Sequence, residues 1–245
     1  MVDFSIKIAN EVIAVRARHM RTKSLCNQYL TSLSADFCVH IDDNSIEKAY
    51  RSCESERKKE GLSAENIPEY FLEEQALLFS LAEALPMHNA ALFHGSAICV
   101  DDKAYLFLAP SGTGKSTHTR LWREMLGERA VMINDDKPFL KIDNGGIWVY
   151  GSPWQGKHNL GNNISAELMG VCVLSQAKEN SIVRLSPNQA VTSVMNQCHI
   201  PKHIEGADKA LTLVDKLLQS IPIYSLACDI SLEAAKLSYC TMVKG

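Results

Sequence analysis

Apolar and polar residues alternate over positions 4–8 (Phe-Ser-Ile-Lys-Ile) and again over 12–15. That period of two predicts a pair of short strands around an Asn10-Glu11 turn. A helix over 22–30 and a strand over 36–41 follow. The charged run 45–59 reads as an exposed helix with Asn44 or Asp43 as its N-cap. Gly61 to Pro68 is the candidate hinge. From Pro68 onward Phe71, Leu78, Leu81 and Leu85 recur at helical spacing, which predicts a helix with one apolar face, closed by Pro86.

The pattern changes from Ala90. Apolar runs at 91–93 and 97–100 predict strands paired with a third at 104–108, across a turn at Asp101-Asp102. A helix over 117–126 and a short buried strand over 130–133 come next, and the strand ends at Asp135-Asp136. Asn144-Gly145-Gly146 is a hairpin signal between two further strands. A loop over 151–163 leads to strands at 168–174 and 181–185 and helices at 187–197 and 207–220. Ala210, Leu213, Val214, Leu217 and Leu218 form the apolar stripe of the last. A strand at 223–226 and a helix at 231–243 complete an α/β chain. The division expected is an N-terminal α/β accessory region, 1–85, and a catalytic domain, 86–245.

Composition narrows the function classes. The chain has 245 residues, 46% hydrophobic and 22% charged, with a net charge of −3, as a globular protein has. Its densest basic run, Arg57-Lys58-Lys59, sits among Glu54, Glu56 and Glu60. Nucleic acid is therefore not the expected partner. No apolar stretch is long enough to span a membrane, and the N-terminus lacks a signal-peptide pattern. The eight cysteines include no C-x-x-C pair, which reads as reduced thiols in a cytoplasmic protein. Cys198-His199 and His203 have metal-ligand spacing but no second pair, so an incidental cluster is expected.

The chemistry concentrates at Ala109-Pro-Ser-Gly-Thr-Gly-Lys-Ser-Thr117, between a predicted strand and a predicted helix. This is a phosphate-binding P-loop, with Ala109 in place of the usual first glycine. Ser111, Gly112, Thr113, Gly114 and Thr117 offer the turn that cradles phosphate. Lys115 reaches the β/γ oxygens, and the Ser116 hydroxyl can bind Mg²⁺. Asp135 lies 20 residues beyond Lys115, at the end of the next strand. An acid there can hold Mg²⁺ or accept a proton, and a neighbour such as Asp136 can take the other task. His94 precedes the loop by 15 residues, on a strand expected beside the P-loop strand. Trp154 and Lys157, in the Gly151–Lys157 segment, can wall an acceptor pocket and meet a phosphate, or form a packed turn with an anchoring Trp.

Taken together, His94-Gly95, a strand hairpin, the P-loop, one helix and Asp135-Asp136 resemble the catalytic domain of the HPr kinase/phosphorylase family. That family shares its core with the nucleotide-binding part of phosphoenolpyruvate carboxykinase. The likeness covers about residues 90–143. The runs Ser-Gly-Thr-Gly-Lys-Ser-Thr-His-Thr-Arg-Leu-Trp, Asn-Asp-Asp-Lys-Pro and Gly-Ser-Pro-Trp-Gln-Gly-Lys look like the HPr-kinase-like branch found with peptide-modifying systems. The resemblance implies a P-loop-containing mixed β-sheet, with Asp135 as base towards an acceptor hydroxyl, His94 supporting it, and an oligomeric assembly. The Arg-Gly-Leu-Gly signature that follows the acidic pair in true HPr kinases is absent, and Gly151–His158 stands in its place.

The function expected is an ATP- and Mg²⁺-dependent phosphotransferase acting on a hydroxyl of a peptide, protein or small metabolite. In it Ser116 and Asp136 hold the metal and Asp135 takes the proton. The alternative is a nucleotide-dependent switch protein with no phosphate acceptor.

Overall fold

A computed structural model describes residues 1–59, 61, 63 and 66–243. The chain divides into two compact units, Met1–Leu85 and Pro86–Gly245. Of the candidate hinge, residues 62, 64 and 65 lie outside the described residues.

In the first unit β1 (Val2–Ile8) and β2 (Glu11–Ala17) form an antiparallel hairpin. Ala9 and Asn10 take the left-handed conformation (φ 51° and 64°) that a two-residue turn between twisted strands requires. Helix α1 covers Met20–Leu25 and passes into a 3₁₀ turn, Asn27–Tyr29, so the helix expected over 22–30 starts earlier and breaks. The buried Glu73 carboxylate fixes that start, accepting from the N–H groups of Arg18 and His19 and from the Thr22 hydroxyl. Strand β3 (Phe37–His40) joins parallel to β2. Helix α2 (Asp43–Lys59) is capped one residue earlier than expected: Asp42 Oδ1 accepts from the N–H and the hydroxyl of Ser45. In α3 (Glu69–Ala84) the buried face is Leu72, Ala76, Leu77, Leu78 and Leu81. Phe71, expected on that face, is 38% exposed.

The second unit is built on a nine-stranded mixed sheet with helices on both faces. Its strands are β4 (Ala90–Leu92), β5 (Ser96–Val100), β6 (Lys103–Leu108), β7 (Ala130–Asn134), β8 (Phe139–Asp143), β9 (Gly146–Tyr150), β10 (Ser165–Gln176), β11 (Ser181–Leu185) and β12 (Ile223–Cys228). The order is β4-β8-β9-β10-β6-β5-β7. The long strand β10 pairs with β9 over its first residues and with β12 over its last, while β6 lies parallel along its other side. Strand β11 pairs with β12.

The helices are α4 (Lys115–Leu126), α5 (Pro187–Met195), α6 (Ile204–Ser220) and α7 (Leu232–Val243). Strand β6 shows why the sheet is covered twice. Its Leu106 and Leu108 pack with Val194, Leu213 and Leu217 of α5 and α6. The alternate residues Tyr105 and Phe107 pack with Trp122, Tyr239 and Met242 of α4 and α7. A period of two with both sets apolar is the signature of a doubly buried strand.

One expected pairing is wrong. The run 91–93 does not join β5 and β6; β4 pairs with β8 at the far edge of the sheet. Only β5 and β6 form the hairpin, across Asp101-Asp102, both at positive φ. An apolar three-residue run carries no information about its partner, and no hairpin turn separates it from β5. His203, in the Cys/His cluster, caps α6 by accepting from the Gly206 N–H at 3.0 Å.

Candidate active site

Strands β6 and β7 run in the same direction with antiparallel β5 between them. Their C-terminal ends therefore lie on one side of the sheet, and bring the P-loop and the acidic pair together.

Beyond β6 the chain turns through Gly112 (φ 77°) and Gly114 (φ 117°), conformations that an L side chain adopts only with strain. Gly114 is the residue immediately before α4, and its carbonyl accepts the His118 N–H. The loop amides thus gather at a helix N-terminus, where partial positive charge favours an anion. Ser111 and Gly112 are exposed, while Thr113, Gly114, Ser116 and Thr117 are half-buried. Ala109 is buried, and its carbonyl accepts from Lys115 Nζ at 2.8 Å; that of Pro110 accepts at 3.3 Å. Burial holds the Lys115 ammonium below its ordinary pKa, against the pull of Asp136 and Asp135. Gln176, the last residue of β10, donates to the Thr113 carbonyl at 3.2 Å and steadies the loop from the neighbouring strand.

The two carboxylates differ in their surroundings. Asn134, fully buried, accepts from the N–H groups of Asp136 and Lys137 (2.9 and 2.7 Å) and so shapes the turn that carries both acids. Asp135 is 5% exposed. Its Oδ1 accepts from the Ser96 hydroxyl at 2.6 Å, and it is hydrogen-bonded to the Ser116 side chain. Burial raises its pKa, opposed by those two bonds and by nearby His158. Ser96 also meets the Thr119 hydroxyl of α4 at 2.9 Å. Asp136 is less buried, with His94 Nε2 at 3.5 Å and Lys137 Nζ at 3.6 Å.

His94 sits in the bend between β4 and β5, not on a strand beside the P-loop. It reaches the site because Gly95 packs against β6: a Cβ there would lie 2.8 Å from Leu106 Cδ1 and 3.0 Å from the Phe107 carbonyl. The Gln197 amide, with its nitrogen turned towards them, meets His94 Nδ1 at 3.0 Å and the Ala109 carbonyl at 3.2 Å. His94 Nδ1 is then an acceptor, and its proton lies on Nε2, facing Asp136. Burial, then Lys137 and Lys115, lower the His94 pKa to about 4, so the imidazole is neutral near pH 7.

The loop over 151–163 is pinned to β7 at both ends. Asn134 Nδ2 donates to the Ser152 carbonyl, and Asn162 Nδ2 donates to the Met132 carbonyl. Trp154 is only 7% exposed, as a tryptophan that anchors a packed turn would be. Lys157 is exposed, in the turn that begins at Gly156. Gly156 (φ 71°) passes so close to the acidic turn that a Cβ would lie 3.2 Å from Asp136 Cβ. Ser96, Gln176 and Gln197 belong to this site although no sequence motif contains them, and Thr119, Asn134 and His158 lie in the runs quoted above but had no role assigned to them there. Each enters through a tertiary contact.

Among the described residues no group of three or more His, Cys, Asp and Glu is arranged to hold a metal ion. The hydroxyl of Ser116 beside the Asp135 carboxylate is instead a pair of hard oxygen donors. That suits Mg²⁺, which binds through one or two protein oxygens together with phosphate. None of the described helices is long and apolar enough to cross a membrane.

No protein-family profile and no curated protein matches the chain. Among solved structures it is similar to the Hpr(Ser) kinase/phosphatase from Coxiella burnetii. The two are 11% identical over 62% of this chain and 88% of that one, with a TM-score of 0.37. The α/β architecture with its mixed sheet is read from the chain's own elements.

Proposed function

We propose that this protein is a Mg²⁺- and ATP-dependent phosphotransferase with a hydroxyl acceptor on a peptide, protein or small metabolite. The observation that carries this reading is the meeting of a P-loop with two acids in different environments, Asp135 against Ser116 and Asp136 against His94. The roles of the carboxylates are the reverse of those the family resemblance implies. Asp135 and Ser116 hold the metal, as the loop hydroxyl and the acid on the strand after the helix do in P-loop enzymes. Asp136, the less buried, takes the proton of the acceptor hydroxyl as its oxygen attacks the γ-phosphorus and the bond to the β-phosphate oxygen breaks. Neutral His94 orients Asp136 through Nε2–H, and Gln197 fixes the tautomer that makes this possible.

When bound, Mg²⁺ supplies charge neutralisation between the β- and γ-phosphates. Lys115 and the loop amides stabilise charge on the transferring group. Lys157, at the exposed turn beside Asp136, lies on the acceptor side.

Parallel kinetics and binding on Asp135→Asn and Asp136→Asn test the assignment. Asp136→Asn should keep ATP·Mg²⁺ binding and lose transfer of labelled γ-phosphoryl by roughly 10²–10⁴-fold, the range for a lost general base. Asp135→Asn should lose the Mg²⁺ dependence of nucleotide binding. The opposite pairing of losses restores the order implied by the resemblance. A slow turnover that no acceptor accelerates would favour a nucleotide switch instead.

A further inference from the structure

Strands β6, β10 and β12 lie side by side and parallel, so the P-loop, Gln176-Ala177 and Cys228-Asp229-Ile230 emerge together at their C-terminal ends. Between them and α4 is a cavity of about 460 Å³, bordered by Gly112 and Gly114 of the loop. That volume falls within the roughly 300–1,000 Å³ of small-molecule sites. Its walls are apolar at Leu121, Leu174 and Ile230. Ile230 stands at the rim, 76% exposed.

Thr113, Thr117, His118, Gln176 and Asp229 add polar groups to the lining of this slot, and His118 and Asp229 offer acceptors. His118 lines it and is only 3% exposed. Its protonation is fixed from behind. The Ser238 hydroxyl donates to the Ala235 carbonyl and accepts from Trp122 Nε1–H, so the remaining contact, 2.8 Å from His118 Nε2, is an N–H donated by the histidine. Nδ1 is therefore left as a hydrogen-bond acceptor. Asp229 is the second group: the hydrogen bonds from Asn180 and Ser231 both go to its Oδ1, which leaves Oδ2 at the rim as an acceptor for a hydroxyl.

We infer that this cavity is the nucleoside subsite of the phosphoryl donor and that it selects adenine. The base lies between Leu121, Leu174 and Ile230, its exocyclic amino group donates to His118 Nδ1, and the ribose hydroxyls face Asp229. The inference rests on the P-loop reading above and extends it from the phosphates to the nucleoside.

Calorimetric titration with Mg²⁺ complexes of ATP, ITP and inorganic tripolyphosphate tests it, on the parent protein and on Ala177→Trp. Ala177 is a half-buried lining residue whose enlargement fills the slot from its rim. ATP should bind at least about tenfold more tightly than tripolyphosphate, the equivalent of one well-placed group. ITP, in which a carbonyl oxygen replaces the amino donor, should lose most of that advantage. Ala177→Trp should bring ATP to the tripolyphosphate level and leave tripolyphosphate unchanged, which also reports an intact fold. Equal binding of ATP and tripolyphosphate by the parent would overturn the subsite, and equal binding of ATP and ITP would overturn the choice of adenine. If none of the three binds, the P-loop reading itself fails and the subsite with it.

Discussion

Gly95 has no space for a side chain, since β6 passes against it at contact distance. Gly95→Ala must therefore push the His94 bend away from β6. The expected cost is about 1–3 kcal/mol for overpacking, with a fall in phosphoryl transfer larger than any fall in ATP affinity. Thermal denaturation and steady-state kinetics on the same sample check both; a stable variant with unchanged kcat would remove Gly95 from the site's design. At this scale the sequence was partly legible. Lys115, Ser116 and Asp135 could be read because a strand, a loop and a helix of ordinary length fix their spacing. Ser96, Asn134 and Gln197 could not, since they reach Asp135, the acidic turn and His94 only through the fold. The different surroundings of Asp135 and Asp136 were hidden for a similar reason: adjacent residues point to different neighbours, and only the fold supplies Ser116 to one and His94 to the other.

The segment over 151–163 behaves as an element although it has no regular structure. Hydrogen bonds tie both its ends to β7, and its Gly156 turn lies against Asp136. Gly156→Ala places a non-glycine residue at φ 71°, a strain of about 1–3 kcal/mol, and drives a Cβ towards Asp136. Transfer should fall several-fold with nucleotide binding retained. Nucleotide titration beside transfer rates would show this, and parent-like rates would mean that the turn does not act on Asp136. Glycines and a proline around a tryptophan marked this loop in the sequence, which left open whether Trp154 walls a pocket or anchors a packed turn. Trp154 is buried, whereas the exposed turn carries Lys157 and His158. Burial of a large aromatic within a loop depends on what the fold packs over it. Strand β4 was misplaced by the same limitation, for its three apolar residues suit any neighbouring strand.

In the second unit two histidines are held neutral by burial. His94 and His118 each have a pKa lowered to about 4 from 6.5. Unfolded histidines take up protons near 6.5, so between 6.5 and about 4 the unfolded chain binds more protons than the folded one. Stability should be flat above that window. It should fall as pH drops through it, by up to about 1.4 kcal/mol per pH unit for each histidine. The raised carboxyl of Asp135 opposes this at the acid end. His118→Gln keeps an amide donor for Ser238 and removes one titrating group, so its melting temperature should depend less steeply on pH. A pH series of melting curves for both proteins measures the difference, and identical slopes would exclude His118 as a contributor.

The loop and the acids meet at one end of β6 and β7, and the proposed chemistry centres on the P-loop. Its lysine is the group through which that assignment is most directly tested. Lys115 is nearly buried and bonded to the loop carbonyls of Ala109 and Pro110, and it belongs to neither hydrophobic cluster. Lys115→Ala should therefore fold. The measurement is a calorimetric titration of parent and Lys115→Ala with ATP·Mg²⁺, with circular dichroism to establish that the variant is folded. Saturable binding by the parent, lost or weakened by at least about tenfold in the folded variant, is the expected result. Equal affinity in the two proteins would contradict the assignment of this loop to phosphate and, with it, the proposed phosphotransferase.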